Sequence, residues 1–221
     1  MIHIEYFTFN LFQERCSVIW DSNGTCAIVD PGFSNIEERD EFYGFIQNNR
    51  LEVKAILLTH GHFDHIYGVA EAAGHFNVPV YMHPADEVII KEANPMLCQT
   101  YGLMLPADFS GVISVKGGDT VGVGDLRFEV IETPGHTPGG VCYLERNEKI
   151  LFSGDTLFAG SIGRTDNQWA DYDALMTGIF SKLMELDGDI TVIPGHGPET
   201  SIATERTTNP FLMPFNEPFE G

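Results

Sequence analysis

Three of the chain's eight histidines lie within six consecutive positions, in the stretch LLTHGHFDHI. They are His60, His62 and His65, and Asp64 precedes the last of them. Imidazole and carboxylate groups are ligands for zinc and related divalent ions. Because residues two apart in an extended segment project to the same side, His60 and His62 can bind one ion. Asp64 and His65 follow at the predicted turn into a helix and can point to a second ion.

Other histidine and aspartate residues stand where predicted strands end. KAILLT runs into His60, RFEVIET into a PGH segment that ends at His136, KILFSG into Asp155, and TVIPG into His196. Glycine or proline adjoins each position, so the backbone can turn sharply there while the strand fixes the side chain. The lone carboxylate of Asp155 can bridge two ions about 3.5–4 Å apart, which would clamp a hydroxide and polarise a carbonyl group. Such ions lower the pKa of bound water to about 7.

A single histidine at a strand end is more often a surface or hydrogen-bonded residue than a metal ligand. For His136 or His196 alone, that would be the preferred interpretation. The combination of HxHxDH with PGH, SGD and PGH segments at three later strand ends favours a metal site instead. His3, His75 and His83 lie outside these contexts and are interpreted as structural or solvent-facing.

The hydrophobic pattern predicts the elements that would position these side chains. Short apolar runs predict strands at 2–9, 16–20, 25–30, 53–59, 78–83, 126–133, 140–146, 149–155 and 189–195. Helical spacing predicts helices at 66–76, 84–93, 171–187 and, capped by Asn35, 35–50. Residues 94–111 contain two prolines and are predicted to form a loop over the site. We expect one domain over residues 1–221, with residues 198–221 as a short C-terminal extension.

The amino-acid composition argues against some classes of binding partner. The 221 residues include 32 acidic and 12 basic side chains, for a formal charge of −20, which argues against binding to nucleic acid or an anionic membrane. The N-terminus lacks the pattern of a signal peptide. The four cysteines are scattered and are expected to be reduced in a cytoplasmic protein, although a Cys16–Cys26 disulfide is the rival interpretation. Composition leaves the oligomeric state open.

Four segments together resemble the metallo-β-lactamase superfamily: HGHFDH (60–65), TPGHTPG (133–139), FSGDTLF (152–158) and PGHGP (194–198). The resemblance implies an α/β fold, a four-layer αβ/βα sandwich of two mixed β-sheets flanked by helices. It also implies a site for two divalent metal ions, with zinc favoured over iron or manganese. By that resemblance, the ligands of the first ion are His60, His62, His136 and Asp155. Those of the second ion are Asp64, His65, Asp155 and His196.

Two further segments, GSIGRTD (160–166) and ERTTNPFL (205–212), resemble short glyoxalase II-like hydrolases. That resemblance implies hydrolysis of a small-molecule thioester such as hydroxyacyl-glutathione, with Asp64 and Asp155 as catalytic residues. Full-length glyoxalase II enzymes continue into a helical domain that helps hold glutathione, and this chain ends about where that domain would begin. Arg164 can anchor a substrate carboxylate, or it can order its loop through an ion pair with an acid such as Asp166.

Two other functions are compatible with parts of this pattern. The GRTD segment also occurs in persulfide dioxygenases of the same superfamily, which would use one iron ion held by His60, His136 and Asp155. Two zinc ions per chain would favour hydrolysis, whereas one iron ion with thiol-dependent oxygen uptake would favour the dioxygenase. A binding protein with a structural metal is the third interpretation, and the complete ligand set argues against it.

Overall fold

The computed structural model describes residues 2–213, within which the strands form two six-stranded sheets. The strands of the first sheet have the same order in the chain and in the sheet: β1 (His3–Phe9), β2 (Glu14–Trp20), β3 (Thr25–Val29), β4 (Glu52–Leu57), β5 (Val80–Met82) and β6 (Val112–Ser114). β1, β2 and β3 pair in antiparallel fashion. β3 to β6 pair in parallel, so this sheet is mixed.

The second sheet is built from the later part of the chain. Its strands and those of a separate small hairpin are β7 (Thr120–Val123), β8 (Leu126–Glu132), β9 (Val141–Glu145), β10 (Ile150–Gly154), β11 (Leu157–Phe158), β12 (Ser161–Ile162), β13 (Thr191–Pro194) and β14 (Thr200–Ser201). β11 and β12 form the hairpin, and the sheet order is β14-β13-β10-β9-β8-β7. β10 and β13 are parallel and the other neighbours antiparallel, so the second sheet is mixed too.

The described residues also include six α-helices. They are α1 (Ile36–Asn48), α2 (Phe63–Ile66), α3 (Val69–Phe76), α4 (Asn94–Tyr101), α5 (Tyr172–Gly178) and α6 (Ile202–Thr208). A 3-10 turn (Pro84–Asp86) and a π-helical turn (Ile89–Ala93) precede α4, and a second π-helical turn (Ile179–Leu183) follows α5. Among residues 2–213, no helix has the length and apolar character needed to cross a membrane.

Successive side chains of a strand point to opposite faces of the sheet, so each sheet packs against a different layer on each face. In β3, Cys26 and Ile28 pack with side chains of α1 and α3, whereas Ala27 and Val29 pack against the second sheet. The second sheet likewise packs on α5 and α6 through a third cluster, which includes Leu175. The order helix, sheet, sheet, helix confirms the predicted four-layer sandwich of mixed sheets.

The prediction of a loop at 94–111 is wrong for its first half, which is α4. Pro95 lies in the first turn of that helix, directly after a π-helical turn, and proline is common in a first turn, so it does not exclude a helix. The helix ends at Gly102, which has a φ of 68° in the left-handed region that glycine adopts readily. Residues 103–111 contain neither helix nor strand, in agreement with the prediction.

Several other boundaries differ from the predictions. The helix predicted at 66–76 begins earlier and is divided into α2 and α3, and the one predicted at 84–93 is a 3-10 turn followed by a π-helical turn. The helix predicted at 171–187 becomes π-helical after Gly178. Of the predicted extension at 198–221, the structure shows β14 and α6, and residues 214–221 lie outside the described residues.

Candidate metal centre

The structure brings all seven predicted ligands together where strands of both sheets end. They are His60 and His62 after β4, Asp64 and His65 in α2, His136 after β8, Asp155 after β10, and His196 after β13. Because β10 and β13 are parallel neighbours, they deliver Asp155 and His196 to the same edge of the second sheet. The segment after β4 reaches that edge from the first sheet, so the cluster lies between the sheets.

Three histidines form the first group. Ring nitrogens of His60, His62 and His136 lie within 4.8 Å of one another. The Nε2 atoms of His60 and His136 are buried and have no hydrogen-bond partner among residues 2–213. A buried polar atom without a partner is costly, and a bound cation would satisfy both nitrogens.

The second group consists of Asp64, His65 and His196, whose ligand atoms also lie within 4.8 Å of one another. The Nε2 atoms of His65 and His196 are 3.2 Å apart. Asp64 Oδ2 lies 3.4 Å from His196 Nε2 and 3.8 Å from His65 Nε2. Nitrogen ligands of a tetrahedral zinc ion are about 3.3 Å apart, so these separations fit a shared ion.

Asp155 lies between the two groups. Its Oδ2 is 3.5 Å from His136 Nε2 and 3.7 Å from His196 Nε2, and its Oδ1 is 3.4 Å from His65 Nε2. Oδ1 is buried without a hydrogen-bond partner in the described part of the chain. One carboxylate thus contacts members of both groups, which is the position of a bridging ligand.

Hydrogen bonds at the outer nitrogens orient the imidazole rings. His136 Nδ1 donates to the carbonyl oxygen of Arg164 at 2.8 Å, and His196 Nδ1 donates to that of Phe12 at 3.0 Å. His60 Nδ1 lies 3.0 Å from Thr59 Oγ1. These partners leave each Nε2 pointing into the cluster, an arrangement that is general for metal-binding histidines.

Asp30, at the end of β3, belongs to this outer shell and was not predicted from the sequence. Its Oδ2 lies 3.1 Å from His65 Nδ1, and the carboxylate also accepts hydrogen bonds from the N–H and hydroxyl of Thr59. Asp30 is close enough to His60 and His65 to form a third group of potential ligands. Because its oxygens are already engaged, we assign Asp30 to orienting His65.

Burial determines the protonation state of His60 and His62. It lowers the pKa of His62 to about 3, with a further contribution from the neighbouring His136. Burial also lowers the pKa of His60 well below its usual value, and His65 contributes in the same direction. His60 and His62 are therefore neutral, which is the form in which imidazole binds a metal.

Neighbouring groups of opposite charge determine the pKa values of Asp155, His65 and His196. Burial by itself would raise the pKa of Asp155, but His65 and other histidines hold it well below its usual range. For His65, burial acts to lower the pKa, and the carboxylates of Asp155 and Asp64 outweigh it and raise the pKa well above normal. The pKa of His196 is raised in the same way, against its burial, chiefly by Asp64. The centre is thus a buried cluster with ionised carboxylates, a chemistry that suits divalent cations.

The cluster forms the floor of a cavity of about 520 Å³. One wall is aromatic: the ring centroid of Phe12 lies 5.0 Å from that of Phe63 and 6.4 Å from that of Tyr101. Leu97 of α4 and Phe158 of β11 add further apolar surface. These side chains come from separate segments, and no sequence pattern points to them.

Arg164 lies at the rim of this cavity with a largely exposed side chain. Its Nε and Nη2 donate to the two carboxylate oxygens of Asp166 at 3.1 and 2.8 Å. The ion pair considered from the sequence is therefore present. The same residue also orients His136 through its carbonyl oxygen.

A model of the metallo-beta-lactamase superfamily matches residues 10–196. The chain is 36% identical to the hydroxyacylglutathione hydrolase GloC of Haemophilus influenzae, over 96% of this chain and 98% of that protein. Its fold is similar to that of the B3 metallo-beta-lactamase BLEG-1, with a TM-score of 0.84 and 33% identity over 96% of this chain and all of that one. It is also similar to TTHA1623 in a di-iron-bound form, with a TM-score of 0.83 and 35% identity over 94% of this chain and all of that one.

Replacement of Asp155 provides a test of the two-group arrangement. Because Asp155 contacts both groups, Asp155→Ala should weaken binding of two ions, each by more than the roughly 10–100-fold typical of an outer-shell change. His196→Ala should release mainly one ion. Zinc content after dialysis against a graded chelator measures both effects, with Asp166→Ala as a nearby carboxylate control. Two tightly held ions in Asp155→Ala would contradict the arrangement.

Proposed function

The chain belongs to the metallo-β-lactamase superfamily, and from its candidate metal centre we propose that it is a two-metal hydrolase of small-molecule thioesters. The observation that carries this proposal is the position of Asp155, which contacts both groups of potential ligands. The similarity to GloC, a hydroxyacylglutathione hydrolase, supports the thioester as substrate. Hydroxyacyl-glutathione is accordingly the first substrate to test.

The proposed ligands divide between two ions. One ion would be held by His60, His62 and His136, the other by Asp64, His65 and His196, and Asp155 would bind both. When bound, these ions would supply a water ionised near neutral pH and would polarise the thioester carbonyl. The histidine and carboxylate ligands suit zinc, and the di-iron form of TTHA1623 makes iron the first alternative to test, followed by manganese.

Asp64 is the proposed orienting group for the attacking water. It lines the cavity, and its Oδ2 is held 3.4 Å from His196 Nε2. Asp155 contacts both groups of proposed ligands and would hold them in register. A thiol has a pKa of about 8.5, so a thiolate leaves without a strong acid to protonate it, and the cavity requires no such residue.

The cavity itself suits a substrate with one apolar part and one charged part. The wall of Phe12, Phe63 and Tyr101 can pack against an apolar part of the thioester. Arg164 at the rim is the proposed anchor for a substrate carboxylate, which would exchange with Asp166. All four cysteines are buried free thiols, which supports the proposal of a reducing, cytoplasmic location.

Metal-dependent assays test the reaction class. Apoprotein loaded with zinc should hydrolyse hydroxyacyl-glutathione without consuming oxygen, because water supplies the new oxygen atom. Thiol release and an oxygen electrode measure the two quantities in parallel for zinc-, manganese- and iron-loaded protein. A zinc form that cleaves no thioester, beside an iron form that consumes oxygen with a glutathione persulfide, would establish the mononuclear-iron dioxygenase instead.

Paired variants test the role of Arg164. If Arg164 anchors substrate, Arg164→Ala should raise KM about tenfold or more for a carboxylate-bearing thioester, since charge-assisted hydrogen bonds contribute about 1.5–3 kcal/mol. A neutral thioester should be little affected, and Asp166→Asn should not raise KM for either. Equal losses for both substrates in both variants would show that the ion pair only orders the loop.

A further inference from the structure

The backbone of Gly61, between His60 and His62, is hydrogen-bonded to side chains through both its N–H and its carbonyl oxygen. Its N–H donates to Asp86 Oδ2 at 2.7 Å. Its carbonyl oxygen accepts a hydrogen bond from Asn94 Nδ2 at 2.9 Å. Asp86 and Asn94 are both buried, and neither belongs to the proposed ligand set. The segment that carries two ligand histidines therefore depends on side chains from the 3-10 turn and from α4.

Asp86 also holds the segment that follows His136. Its Oδ1 accepts from the N–H of Gly139 at 2.6 Å, and its Oδ2 accepts from the hydroxyl of Thr137 at 2.9 Å. One carboxylate thus joins the two loops that carry the first group of histidines. These loops are far apart in sequence and extend from different sheets.

The fit around this carboxylate is tight. A Cβ atom at Gly139 would lie 2.7 Å from Asp86 N and 2.8 Å from Asp86 Oδ1, so only glycine permits this approach. Burial raises the pKa of Asp86, and the hydrogen bonds from Gly139, Thr137 and Gly61 oppose that shift. A carboxylate buried in this way is costly unless its hydrogen bonds are all made, and here three donors surround it.

We propose that Asp86, assisted by Asn94, is a positioning residue that fixes the spacing of His60, His62 and His136 for one metal ion. The inference rests on the proposed metal centre, but it concerns metal affinity and not the reaction. Loss of the hydrogen bonds to Asp86 would let the His60–His62 segment and the His136 loop move apart. The ion held by these three histidines would then be bound more weakly, while the second group would be less affected.

The chain contains a matched control in Glu205 of α6. Its buried carboxylate also accepts three hydrogen bonds, from Gly160 N, Thr200 Oγ1 and Asn209 Nδ2 at 2.8, 2.6 and 2.8 Å. These donors carry none of the proposed ligands. Replacing either carboxylate by its amide turns one acceptor into a donor that faces donors. Both changes should therefore destabilise the fold, but only one should alter the metal centre.

Metal titration of the apoprotein distinguishes an effect on the metal centre from an effect on the stability of the fold. Asp86→Asn should raise the Kd for zinc at one of two sites by about 10–100-fold, the range found for partners of metal ligands. Glu205→Gln should change neither zinc Kd by more than about threefold. Cobalt(II) gives a second measurement, because a displaced histidine changes its visible absorption spectrum. Equal zinc affinities and cobalt spectra in both variants would overturn the proposal.

A milder pair of variants tests the proposal if Asp86→Asn does not fold. Thr137→Val removes one donor to Asp86, and Thr200→Val removes one donor to Glu205. The proposal requires weaker zinc binding in Thr137→Val than in Thr200→Val, and equal affinities would contradict it. The readout needs no substrate, so it remains valid if the protein proves not to be a thioesterase.

Discussion

The contact of Asp155 with both groups of ligands is the constraint on which the centre depends. Its carboxylate lies within 3.4 to 3.7 Å of histidines that reach it from both sheets. Burying this carboxylate beside unpartnered imidazole nitrogens would be unfavourable in a neutral apolar core. Cations at this position would offset that cost, so binding of metal and docking of the two sheets should stabilise each other.

The sandwich provides this contact through the ends of its strands. The close packing of these side chains needs glycine at position 195, directly after β13, where a Cβ atom would lie 2.5 Å from Asp155 Oδ1 and 2.6 Å from the His65 ring. Outside the cluster, Asp30 and Asp86 fix the histidine segments by separate hydrogen bonds. The aromatic wall on α2, α4 and the β1–β2 loop lines the cavity above this cluster.

Short-range patterns predict most of the strands, whereas the four-layer arrangement follows from the resemblance to the metallo-β-lactamase superfamily. Apolar runs that each end in histidine or aspartate point to the clustered side chains before any pairing of strands is known. Asp30 follows the same rule at the end of TCAIVD, so the same pattern points to it. The helix at Asn94–Tyr101 differs from the prediction because a proline in the first turn does not interrupt a helix. The cavity wall could not be predicted, since Phe12, Leu97 and Tyr101 meet only in the folded chain.

Anomalous X-ray scattering from crystals of the zinc-loaded protein tests the central claim most directly. Our account predicts two peaks per chain at the zinc edge. One should lie among His60, His62 and His136 and the other among Asp64, His65 and His196, with Asp155 bonded to both. A single peak at full zinc occupancy, or two peaks of which Asp155 touches only one, would contradict it.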